Sequence, residues 1–157
     1  MFDLVDGLPV HILVVHAVVV LVPLMFLVTL AFTVRPKWQP GLPWAILGNL
    51  LATGAALVAR ESGKRLQDRL SARAGSIIAK DHSQRGDVLW IFALALLLAS
   101  IAAFLLVRQE SRMLRSLAIA LVVICGGGAA YWTVITGDSG SRAVWEENIA
   151  GTEAPAG

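Results

Sequence analysis

The sequence predicts an all-α polytopic membrane protein, with four transmembrane helices and an interfacial amphipathic helix between helices two and three. Three observations predict it. Hydrophobic residues make up 57% of the 157-residue chain and charged residues only 15%, against about 45–50% and about 25% in soluble domains. Mean hydropathy is +0.72. Four apolar runs approach the roughly 20 residues that a helix needs to cross the hydrocarbon. Backbone groups have no water to bond there, so the runs are helices rather than isolated strands.

The expected spans are Val10–Val34, Leu42–Ala59, Val88–Val107 and Ser116–Thr136, in one domain over residues 1–157. Pro9 suits the first turn of helix one, where no amide donor is needed. Arg35–Gly41 holds two prolines and reads as a tight connector. Trp38 and Trp44 stand at one predicted interface, Trp90 and Trp132 at the other, as an aromatic belt requires. Asp81 and Gln84 have the spacing of a capping box, which puts His82 in the first turn of helix three. The N-terminus has no positive region and no small-residue cleavage site, so no cleavable signal peptide is expected.

Between spans two and three, Leu66, Leu70, Ala74, Ile77 and Ile78 recur at helical spacing, with Arg65, Arg69 and Arg73 elsewhere on the wheel. Glu61–Arg65 and Lys64–Asp68 are i,i+4 pairs. This stretch is the expected interfacial helix, over Gly63–Ala79. Within the spans, Gly48 with Ala52 and Gly126 with Ala130 make small-xxx-small pairs that permit close helix contact. The Gly126–Gly128 run also offers room to a flat ligand. Asn49 is expected to hydrogen-bond to a neighbouring helix. Cys125 lies in an apolar run and can form no intrachain disulfide, being the single cysteine.

Four spans bring the N-terminus, the second connection and the C-terminus to one membrane face. His11 and His16 open helix one, His82 opens helix three, and Gly137-Asp138-Ser139-Gly140 directly follows the fourth span. His16 lies about 10 Å beyond Pro9 at 1.5 Å per residue, below the expected interface, and an ionisable residue there marks a functional site by default. It is expected to face the bundle interior. His11 and His16 stand about 140° apart around the helix, so they cannot ligate one iron together. If haem is bound, the partner of His16 comes from another helix, and His82 is the histidine left. Asp138 is a capping or supporting residue.

His11-Ile-Leu-Val-Val-His16 in the first span, Gly63 after the second, His82 opening the third and Gly137-Asp138-Ser139-Gly140 closing the fourth together resemble a bacterial membrane family. It is catalogued as domain of unknown function 2231, and the likeness covers nearly the whole chain, with Gly137–Trp145 similar to its actinobacterial branch. Fusions of relatives to Rieske-type or cytochrome-type domains imply a redox setting with haem. The chain departs from the family pattern at His16-Ala17-Val18, where other members often have His-Phe-Pro. It departs again at Gly137-Asp138, where many have Gly-His.

Three functions follow as expectations. One is a membrane subunit of a redox or respiratory-type system, with haem b on His16 and His82 and with His11 nearby. The second is a cofactor-free accessory subunit of a larger membrane complex. The third, a transporter or channel, ranks last because no Asp, Glu, Lys or Arg lies within a span. No nucleophile–base constellation or metalloprotease spacing points to a hydrolase, and no independent enzymatic activity is expected. Expected partners are the lipid bilayer and other membrane subunits or further copies of the chain. The net charge of +2 gives no reason to expect nucleic acid. Helix one has no Lys or Arg before it and two just after it, which favours extracytoplasmic termini in a bacterial plasma membrane.

Overall fold

The computed structural model describes residues 4–5, 8–71, 77–109 and 111–149. Among them, four long helices carry the fold: α1 (Val10–Val34), α2 (Leu42–Ser71), α3 (Ile77–Val107) and α4 (Arg112–Ile149). All four are long and apolar enough to cross a membrane. They pack in a ring, α1 against α2, α2 against α3, α3 against α4, and α4 back against α1, so that α1 and α3 are diagonal. Ahead of α1, two residue pairs, Leu4–Val5 and Leu8–Pro9, bridge antiparallel. Pro9 therefore precedes the helix and does not open it. Pro36–Gly41 forms a 3-10 turn leading straight into α2.

The stretches of the four helices that carry no Asp, Glu, Lys, Arg or His are similar in length and define a slab. They are Ala17–Val34, Leu42–Ala59, Val88–Val107 and Ser116–Gly137, each near the roughly 20 residues of a bilayer crossing. Three helices run well past it on the side of the termini. The 38 residues of α4 measure about 57 Å, nearly twice the hydrocarbon thickness of about 30 Å.

These extensions correct several expectations about helix ends. The stretch expected as a separate interfacial helix is helical in its described parts, but it is shared between the end of α2 and the start of α3. Of Leu66, Leu70 and Ile77, expected to face the bundle or lipid, Leu66 is half-buried, and the side chains of Leu70 and Ile77 lie outside the described ones. Good helix formers after Ala59, with an exposed Glu61–Arg65 pair at 3.8 Å, let α2 continue without a break. Asp81 lies inside α3, which starts at Ile77, so it is not the cap. Gly137–Gly140 lies inside α4 and does not follow it.

The core is built for close approach. Ala52, Ala56, Ala59, Ala93 and Ala129 pack with Val18, Val22, Leu89 and Leu96 toward the end carrying the termini. Ala99, Ala103, Ala118 and Val122 fill the other end. Gly48 receives Met25, and Gly126 receives the ring of Phe26 from α1, so both small-residue positions are helix contacts. Asn49 Nδ2 donates to Thr29 Oγ1 across α2 and α1 at 2.9 Å, as expected. The buried hydroxyls of Thr29, Thr33, Thr53 and Thr133 donate to carbonyls four residues back on their own helices.

Candidate functional site

The inward stripe of α1 runs through Val18, Val22, Met25, Thr29 and Thr33. Continued one heptad back from Val18, it reaches His11. That ring is half-buried, and its Nδ1 lies 2.9 Å from the carbonyl oxygen of Ala59 on α2. On α3, His82 Nδ1 lies 3.1 Å from the carbonyl oxygen of Thr136 and 3.3 Å from Ser139 Oγ, both on α4. The two rings meet across the diagonal, with centroids 6.1 Å apart and planes inclined by 71°.

Tautomers follow from the partners. A carbonyl only accepts, so each Nδ1 is the donor, and in the neutral ring each Nε2 keeps its lone pair. Ser139 Oγ donates to the same Thr136 oxygen at 2.8 Å, which leaves it able to accept from His82. Ser139 is buried. Glycines make the room: a Cβ on Gly63 would lie 2.9 Å from His11 Cε1, and one on Gly140 would lie 2.9 Å from His82 Cε1. Helices α1 and α3 supply the two rings, while α2 and α4 each supply an accepting carbonyl and a glycine.

Charge flanks this group. Asp87 Oδ1 accepts from Arg60 Nε at 3.1 Å and lies 3.4 Å from Lys64 Nζ, joining α3 to α2. The guanidinium carbon of Arg60 also lies 6.0 Å from the ring centroid of Trp90, and Trp132 Nε1 donates to the carbonyl of Arg85 at 3.0 Å. These tryptophans stand near the edge of the slab, as the aromatic belt requires.

Two expected members of the site lie elsewhere. His16 is exposed on the outer face of α1, and its Nδ1 donates to Ile12 O at 2.6 Å within its own helix. The angle of about 140° between the two positions decides this, because one ring facing in turns the other out. His16 follows His11 by five residues as Asp87 follows His82, on helices that cross in the same direction. His16 therefore shares the level of a charged residue at the slab edge, where an amphipathic ring is at home. Asp138 is exposed and pairs with Arg142 at 2.9 Å on the outside of α4. Ser139, which reads from sequence as a loop or cap residue, is the member that the sequence conceals.

Haem, implied by the family resemblance, divides the histidines. His11 and His82 have the chemistry of a ligand pair: they sit on different helices, each with one nitrogen tied to a carbonyl and, in the neutral ring, the other carrying a lone pair. His16 does not fit as the partner of His82, since it is on the outer surface. Nor does the Gly126–Gly128 run give a macrocycle room beside these rings. Phe26 fills Gly126, and Gly128 lies about 18 Å along α4 from Gly140.

No curated protein and no solved structure matches the chain. A family model does match, over residues 7–153, and so includes every residue of the histidine group: the chain belongs to DUF2231, a family of predicted membrane proteins.

Proposed function

We propose that this multi-pass membrane protein is the membrane subunit of a bacterial redox system, with haem b held by His11 and His82. One observation carries the reading, the pairing of these two rings across the diagonal. The ring centroids lie 6.1 Å apart, so His11 and His82, on different helices, would hold one haem iron between them if haem were bound. The carbonyls of Ala59 and Thr136 hold both Nδ1–H groups, which orients the rings and leaves the Nε2 lone pairs for ligation. When bound, haem supplies one-electron transfer at its iron. The chain's own part is to orient the two rings, and Gly63 and Gly140 keep the backbone clear of them.

The test is the absorption spectrum of the full-length protein, purified after expression with ample haem supply. A low-spin b-type Soret band is expected. It should vanish in His11→Ala and His82→Ala and survive in His16→Ala. A folded, colourless wild type overturns the haem reading. A band lost in His16→Ala but kept in His11→Ala overturns the ligand pair.

A second reading, a cofactor-free accessory subunit, is favoured by the same two hydrogen bonds seen as clasps, since they tie α1 to α2 and α3 to α4. It predicts the colourless protein, with its function in the partner subunits that the bundle holds. In either case we infer that the histidine end faces outward in a bacterial plasma membrane. The two cations just after the first span support this. Reporter fusions to the C-terminus that report a cytoplasmic location would overturn it.

A further inference from the structure

At the end opposite the histidines, a groove of about 480 Å³ opens between the 3-10 turn with the start of α2 and the end of α3. Its lining includes Pro36, Pro40, Pro43, Phe104, Val107 and Arg108. We propose that this groove binds an anionic phospholipid, with the headgroup phosphate on Arg108 and an acyl chain against Phe104.

The lining has an amphiphilic order. Three of its residues are prolines, which have no amide donor to offer a polar ligand, and its uncharged polar side chain, Gln39, donates to the carbonyl of Thr33 at 3.5 Å. Arg108 is the one cation among the described lining residues, and its guanidinium carbon lies 4.7 Å from the ring centroid of Phe104. The guanidinium thus stays beside the apolar lining. Arg108 is also the first charge after Val88–Val107, so it stands at the level of the lipid phosphates. Guanidinium matches phosphate by paired N–H donors.

The surroundings select the charge and the tail. Arg35, Lys37, Arg112 and Arg115 stand at the same end, which favours an anionic headgroup over a zwitterionic one. Trp38 and Trp44 are exposed there, as residues of a headgroup belt are. Toward the bilayer centre, Leu47 on α2 and Ile101 on α3 are exposed apolar surface for a chain to follow. A free phosphate would use Arg108 and leave that surface unused.

Native mass spectrometry of the full-length protein in neutral detergent, titrated with phosphatidylglycerol, tests the proposal. Arg108→Gln should weaken retention about tenfold, the loss of one charge-assisted phosphate contact. Arg112→Gln, which removes an equal charge on α4 outside the groove, should weaken it less than twofold, as the loss of a screened, more distant charge, and inorganic phosphate should not compete. An equal loss in Arg112→Gln, or no loss in Arg108→Gln, overturns the site. Competition by millimolar inorganic phosphate overturns the lipid assignment, and equal retention of phosphatidylcholine overturns the anionic one.

Discussion

His11 and His82 approach to 6.1 Å between ring centroids although their helices are diagonal in the bundle. Diagonal helices touch little, so the gap between them is bridged by side chains. Here the bridge is two imidazoles, each fastened to the helix beside it and not to the other ring. The contact therefore depends on four helices at once, and it is sensitive to anything that moves a ring.

The glycines under the rings are expected to be intolerant of a methyl group. Gly63→Ala and Gly140→Ala would each put a Cβ 2.9 Å from an imidazole carbon. Relieving that overlap pulls the ring off its carbonyl, at a net cost on the order of 1 kcal/mol after the gain in helix propensity. Gly54→Ala and Gly127→Ala, with no described atom within 4 Å, should be neutral or stabilising. Thermal unfolding in detergent compares the four, and equal behaviour would remove the assigned role of Gly63 and Gly140.

Deeper in the bundle, Gly126 and Phe26 form a socket and its knob. A Cβ on Gly126 would overlap Phe26 Cδ2. Gly126→Ala should cost about 1–3 kcal/mol by overpacking. Combining it with Phe26→Leu should cost less than the two single changes added together, because the smaller side chain vacates the contact. Strict additivity in unfolding measurements would show that the ring does not seat there.

For the buried amide, a double-mutant cycle is informative. Asn49 Nδ2 donates to Thr29 Oγ1 at 2.9 Å inside the slab. Hydrogen bonds between membrane helices average about 0.6 kcal/mol by such cycles, and a coupling of that order is expected between Asn49→Ala and Thr29→Val. A coupling near zero would mean that the bond contributes nothing net. The other amide atom, Asn49 Oδ1, is buried without a hydrogen-bond partner among the described residues, so truncation also removes an uncompensated polar atom and offsets part of the loss.

The two aspartates near the site are expected to behave differently. Asp87 bridges Arg60 and Lys64 from α3 to α2 with its side chain 40% exposed, whereas Asp138 pairs within α4 at 58% exposure. Solvent screening limits both. Asp87→Asn should cost less than about 1 kcal/mol, diminishing with added salt, and Asp138→Asn roughly a few tenths at most. Unfolding at low and high salt checks this, and a larger effect of Asp138→Asn would return that residue to the site.

Much of the architecture was legible because lipid leaves the backbone few choices. The four apolar runs, the alternation of direction and the gathering of the histidine-bearing ends follow from span count alone. Helix ends were less legible. Composition shows where a helix leaves the hydrocarbon, not where it stops, so α2, α3 and α4 all extend beyond their apolar runs. The inward face of α1 did leave a signal: Thr29 and Thr33 are the polar residues of that span past His16, and the stripe they begin leads back to His11. Ser139 left none, since a serine within Gly137-Asp138-Ser139-Gly140 reads as a turn until its helix is seen to continue.

Chain order and spacing are enough for four membrane spans, one shared face for all three histidines, and an angle of about 140° between His11 and His16. That angle says that the two rings differ in facing, not which one faces in. The rotation of α1 emerges only in the packed bundle, because it is set by the side chains of the other helices. The alanines of α2 and α3 and the glycines at 48 and 126 admit Met25 and Phe26. Their fit turns His11 inward to His82 and leaves His16 on the outside.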